Sequence, residues 1–129
     1  MYSFKGVIAR GRGWGGGLGF PTANVLPDGD FACPADGVYV AEVKLAGEAE
    51  WRYAVLNQGM RPTLPGGERA FEAHVLGFNG DIYGVEIEVR YLRYLRGEVK
   101  FASAGDLSSQ IAKDISSARD WIAAREAGE

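Results

Sequence analysis

A chain of 129 residues that is 47% hydrophobic can bury one domain core, and its formal net charge of −3 gives no bulk attraction to a nucleic-acid backbone. Its single cysteine, Cys33, excludes an internal disulfide and stands without metal-ligand spacing around it, which points to a reducing cytoplasm and a small buried side chain. No apolar run approaches the roughly 20 residues that cross a bilayer, and the start Met1-Tyr2-Ser3-Phe4-Lys5 lacks the apolar core of a signal peptide, so a soluble protein that stays where it is made is expected.

Short apolar and β-branched runs separated by glycine, proline and asparagine set the rhythm of an antiparallel β-fold. The first run is Tyr2 to Arg10. A loop with glycines at 11, 13, 15, 16 and 17 follows, leading into Gly19-Phe20-Pro21-Thr22-Ala23-Asn24. Glycines there let backbone amides approach phosphate oxygens, although any surface loop has the same composition. In an extended segment Thr22 and Asn24 project to the same side, so a hydroxyl and a carbonyl oxygen can share one hard cation; a pair that only hydrogen-bonds a turn is the structural alternative.

After an irregular connection from Asp28 to Gly37, Val38 to Leu45 and Trp51 to Leu56 flank a polar stretch and are expected to pair as a hairpin. A second irregular stretch, Gly59 to Arg69, carries Pro62 and Pro65. Phe71 to Phe78 and Ile82 to Leu95 flank Asn79-Gly80, a strong two-residue turn signal that predicts another hairpin. Within it Val85, Ile87 and Val89 alternate with Glu86, Glu88 and Arg90, one face for the core and one for water. Six such strands would close into a small barrel. The period then changes: Leu107, Ile111, Ile115, Ala118 and Ile122 draw one apolar stripe along a helix packed outside the barrel, with a start signal at Ser103 and Asp106 and Gly128 just past its end.

Chemistry concentrates in a few places. Phosphoryl transfer needs a group that orients and deprotonates an alcohol, and Glu72 in Phe71-Glu72-Ala73-His74 is the candidate base. Strand geometry puts Glu72 and His74 on one face and Phe71, Ala73 and Val75 on the other; His74 either supports Glu72 or is idle. The aromatic-rich run from Tyr91 to Phe101 is a platform for a flat ring, or an ordinary strand end with its aromatics in the core.

With these residues assembled, the chain resembles the riboflavin kinase family, as found in the flavokinase module of bacterial bifunctional FAD synthetases. The landmarks, in order, are Phe4-Lys5-Gly6-Val7, the glycine loop, Leu18 to Asn24, Gly37-Val38-Tyr39, Asn57-Gln58-Gly59-Met60-Arg61-Pro62-Thr63, Glu72-Ala73-His74, Asp81-Ile82-Tyr83-Gly84, Leu95-Arg96, and Phe101 with the closing helix containing Gln110 and Asp114. The resemblance spans nearly the whole chain and implies a single domain over residues 1–129, a six-stranded antiparallel Greek-key barrel with a C-terminal helix outside. It also implies ATP-dependent phosphorylation of riboflavin to FMN, with Mg2+ as the metal and ATP as co-substrate. Transferred position by position, Thr22 and Asn24 become magnesium ligands and Glu72 the base. Gly11, Gly13, Gly16, Val75, Gly77 and Tyr83 fall at nucleotide contacts, and Arg96, Val99 and Phe101 at flavin contacts.

Trp14 and Gly16 stand where many relatives carry a basic side chain, and Gly77 and Gly97 where an acidic residue and a proline are common; Arg10 or Arg12 is the substitute for the missing cation. Met1 reads as a natural start, and without an adenylyltransferase module the expected product is FMN rather than FAD. The expected partners are riboflavin, FMN, ATP and ADP, with no nucleic acid, no membrane and a monomeric state. Two other readings stay open: a non-catalytic flavin-binding or regulatory module of the same fold, and a barrel that binds single-stranded RNA.

Overall fold

The computed structural model describes residues 2–9, 22–60, 69–78, 82–99 and 101–128. Six strands and one helix follow in chain order: β1 (Ser3–Ala9), β2 (Ala23–Pro27), β3 (Gly37–Leu45), β4 (Arg52–Met60), β5 (Arg69–Val75), β6 (Glu86–Arg96) and α1 (Ala104–Ala127). All pairings are antiparallel and the barrel closes in the order β1-β2-β5-β4-β3-β6. β3, β4 and β5 form a meander, and β6 returns to lie beside β3, which is Greek-key connectivity.

Strand alternation builds the core. Inward positions supply Phe4 and Ile8 from β1, Ala23 and Val25 from β2, and Tyr39, Ala41, Val43 and Leu45 from β3. Ala54 and Leu56 follow from β4, Phe71, Ala73 and Val75 from β5, and Ile87, Val89 and Tyr91 from β6. Full burial of each large aliphatic contributes about 2 kcal/mol, which is why one-residue slips are strongly disfavoured. A second apolar layer lies outside the barrel: Val38, Val40 and Val55 are covered by Ile115, Ala118, Trp121 and Ile122 of α1. The helix begins where expected, with Ser103 Oγ accepting from the Asp106 amide at 3.1 Å, and ends as the Gly128 amide donates to the Ala124 carbonyl.

Three expectations are corrected. The predicted hairpin across Asn79-Gly80 does not form, because β5 lies between β2 and β4 while β6 lies between β1 and β3; residues 79–81 lie outside the described residues. β6 also starts later than Ile82: the Val85 amide donates to the Ile82 carbonyl in a turn, and Gly84 and Val85 exchange backbone hydrogen bonds with Ile8. A turn signal reports that the chain reverses, but not which strand the next segment meets. Cys33 is a free cysteine, half-buried rather than fully buried.

Candidate active site

One ladder row holds several of the candidate residues. Ala9 of β1 pairs with Asn24 of β2, Asn24 with Glu72 of β5, Glu72 with Asn57 of β4, Asn57 with Val38 of β3, and Val38 with Arg96 of β6. Directly paired residues share a face, and this row is the outer one, since its neighbours Ala23, Leu56, Tyr39 and Ala73 all point into the core. Glu72 is thus flanked by two side-chain amides at about one strand spacing, ~4.8 Å. Glu72 is only 8% exposed although it lies on the outer face. His74 lies on the same face one step along β5, opposite Val55.

Thr22 immediately precedes β2, two residues from Asn24. Its Oγ1 is buried and has no hydrogen-bond partner among the described residues. Asn24 lines a cleft of about 520 Å³ together with Phe31, Cys33, Arg69 and Phe71. An orphaned buried hydroxyl costs stability unless a ligand completes it, and a hydroxyl with an amide oxygen nearby is a hard, neutral oxygen set. Among the described residues no group of three or more His, Cys, Asp and Glu could hold a metal alone. The hydroxyl of Thr22 and the amide oxygen of Asn24 fit an oxygen-loving cation.

The other end of the row is set by bulges. Register shifts between β3 and β6 at Val38/Tyr39 and Val40/Ala41 put two extra residues into β6 and turn Leu92, Leu95 and Arg96 toward α1. Arg96 then makes a two-pronged ion pair with Asp114 of α1, Nε to Oδ1 at 2.8 Å and Nη2 to Oδ2 at 2.7 Å. Gln110 adds a third hydrogen bond to Asp114 at 3.0 Å.

The family profile described as flavokinase, riboflavin kinase, matches residues 1–122. The chain belongs to the riboflavin kinase family. Over 121 residues it is 37% identical to the bifunctional riboflavin kinase/FMN adenylyltransferase of Haemophilus influenzae, covering 94% of this chain and 39% of that protein. It therefore spans about two-fifths of the length of such curated relatives. A crystal structure described as a macrolide-efflux protein from Streptococcus pneumoniae superposes with a TM-score of 0.83 at 34% identity, over 92% of this chain and 38% of that one. The riboflavin kinase of Trypanosoma brucei, with a TM-score of 0.63 at 20% identity, covers 93% of this chain and 76% of its own, and shares the fold.

The remaining family positions are scattered. Val75 faces the core, so only its backbone is open to a ligand. Gly77 follows β5 at a φ of +67°, on a groove shared with Tyr53, Arg119 and Ile122. Tyr83 and Val99 are exposed, and Phe101 is half-buried just before the Ser103 cap. Gly11, Gly13 and Gly16, with the Trp14 departure, lie outside the described residues.

Residue-by-residue reading passed over a polar plug at one barrel mouth. Gln58 is fully buried; its Nε2 donates to the Pro34 carbonyl at 2.9 Å and to Asp36 Oδ1 at 3.0 Å, while Tyr91 Oη donates to its Oε1 at 2.6 Å. Arg69 grips the same carboxylate with two prongs, Nε to Oδ1 at 2.6 Å and Nη2 to Oδ2 at 3.2 Å, and Tyr39 Oη donates to the Ala35 carbonyl. Burial pushes the Tyr91 phenol well up from its usual value and raises that of Tyr39. The signal was present: Gln58 shares parity with the inward Ala54 and Leu56. This network ties the connection between β2 and β3 to the strands that bear Asn57 and Glu72.

Proposed function

We propose that this domain transfers the γ-phosphoryl group of MgATP to the terminal ribityl hydroxyl of riboflavin, giving FMN and ADP. Family membership supplies the reaction class, and one observation carries the assignment of roles: Asn24 and Glu72 are direct partners across the β2–β5 ladder on the outer face. That register holds a metal-corner oxygen and a carboxylate about one strand spacing apart, as in-line transfer requires.

Glu72 accepts the proton of the 5′-hydroxyl as its oxygen bonds to the γ-phosphorus, and the bond from that phosphorus to the β-bridging oxygen breaks, releasing ADP. No phosphoenzyme is involved. Thr22 and Asn24 hold the magnesium, which when bound neutralises charge developing between the β- and γ-phosphates. Burial of Glu72 keeps water from competing with the acceptor alcohol. Arg96, steadied by Asp114, Val99 and Phe101 contact the flavin; the backbone of Val75 and Gly77, with Tyr83 and the glycine loop at 11, 13 and 16, contact the nucleotide.

Incubation with riboflavin and MgATP, followed by chromatography, should yield FMN and an equal amount of ADP. Glu72→Gln should lower turnover by at least about 100-fold, the usual contribution of a positioned base, while riboflavin quenching titrations stay within about two-fold of the parent. Turnover within a few-fold of the parent would remove Glu72 from this role. Flavin binding without FMN formation would identify a non-catalytic module.

A further inference from the structure

The Asn57-to-Thr63 motif has so far contributed no side chain to the reaction, yet its first residue sits beside the proposed base. Asn57 is the direct ladder partner of Glu72 on one side and of Val38 on the other. It is half-buried on the outer face, between a buried carboxylate and the apolar layer under α1. Among the described residues none of the recorded hydrogen bonds uses the Asn57 side chain, whereas the neighbouring Gln58 amide is fully engaged inside the barrel.

A second observation marks the same surface. Two residues along β4, again on the outer face, Gly59 lies directly beneath the Glu98 carboxylate. A Cβ added at Gly59 would stand 1.8 Å from Glu98 Oε1 and 2.2 Å from its Cδ. Glycine at 59 therefore lets a carboxylate from the segment after β6 lie flat against β4. The outer surface of β4 at this level thus presents an amide, then a carboxylate, next to Glu72. Amide and carboxylate groups in a line are hydrogen-bonding partners for vicinal hydroxyls rather than for a flat ring.

We infer that Asn57, flanked by Glu98 over Gly59, forms a subsite for the polyhydroxy chain of the acceptor and sets specificity for the chain rather than for the ring. This rests on the proposed riboflavin kinase reading. With the terminal hydroxyl at Glu72, the hydroxyl-bearing carbons adjoining it run along the row toward Val38 and α1. The Asn57 amide, which both donates and accepts, can pair with a hydroxyl in either sense. Its alignment holds the terminal hydroxyl on Glu72, so a chain lacking inner hydroxyls is bound loosely at the reacting end.

The test is a flavin-fluorescence quenching titration with riboflavin and with lumiflavin, which has the ring and no chain, on the parent, Asn57→Ala and Asn57→Ser, each checked for an unchanged melting temperature. Asn57→Ala should weaken riboflavin about ten-fold, the upper range for one neutral hydrogen bond, and leave lumiflavin within two-fold. Asn57→Ser should recover part of the loss. Gly59→Ala, which displaces Glu98, should weaken riboflavin selectively as well. Unchanged riboflavin binding in Asn57→Ala, or equal loss of both flavins, would overturn the inference. Because the readout is binding, it is independent of turnover: a parent that binds riboflavin without making FMN refutes the kinase reading alone, and a parent that binds neither flavin refutes both.

Discussion

Removing the Asp114 carboxylate is the sharpest test of how α1 is fastened over the candidate site. Asp114 is 3% exposed and Arg96 21%, and three hydrogen bonds of 2.7 to 3.0 Å converge on the one carboxylate. Asp114→Ala strands a mostly buried guanidinium, which for a buried pair costs 3–5 kcal/mol; the residual exposure of Arg96 favours the lower figure, about 3 kcal/mol. At about 2.1 cal/mol/K of unfolding entropy per residue, 129 residues give about 270 cal/mol/K, so the melting temperature should fall by about 11 °C. Calorimetry or circular dichroism melting reads this directly. The double variant Arg96→Met with Asp114→Leu should recover most of the loss, because no uncompensated charge remains. A fall below about 3 °C in Asp114→Ala, or a double variant as unstable as the single one, would show that the pair does not fasten the helix.

Other expectations follow from single contacts. Asn24→Ala should raise the magnesium concentration needed for half-maximal FMN formation several-fold with little change in melting temperature, and a superimposable magnesium titration would exclude Asn24 as a ligand. Gly6→Ala would put a Cβ 2.3 Å from the Leu26 carbonyl oxygen, a backbone atom that cannot swing away, so the β1–β2 ladder should part at a cost of about 3 kcal/mol, read as a denaturant midpoint shift. The Tyr91 and Tyr39 phenols, raised by burial, stay neutral in the fold and ionise near 10.0 once unfolded. Their contribution is thus full below pH 10.0 and lost as pH rises above it, so stability should decline from that point, with tyrosinate absorbance from Tyr91 appearing only as the protein unfolds.

Local pattern made the strands, the helix and its cap legible. Alternation placed Phe71, Ala73 and Val75 inside and Glu72 and His74 outside, because period-two burial is a local property. Pairing is not local. Asn79-Gly80 suggested that β5 meets β6, but both edges of β5 are taken by β2 and β4. A five-residue strand, Ala23–Pro27, decides that outcome, and its brevity hid it among the loops. Asp114 was equally readable after the fact: it interrupts the apolar stripe between Ile111 and Ala118, and a carboxylate at a buried helix position requires a cation across the interface.

The same correction explains how the candidate residues come together. Had β6 taken the place of β2 beside β5, Glu72 would not be the ladder partner of Asn24. Greek-key closure instead brings β2 against β5, making Glu72 the bridge between β2 and β4. The bulges in β6 then bring Arg96 opposite Val38, so a single ladder row runs from metal corner to helix-anchored cation. A shift of one residue anywhere along it would turn Glu72 or Asn57 into the core, where an unpaired polar group costs several kcal/mol. The register that packs the barrel is therefore also the register that lines up the candidate reacting groups.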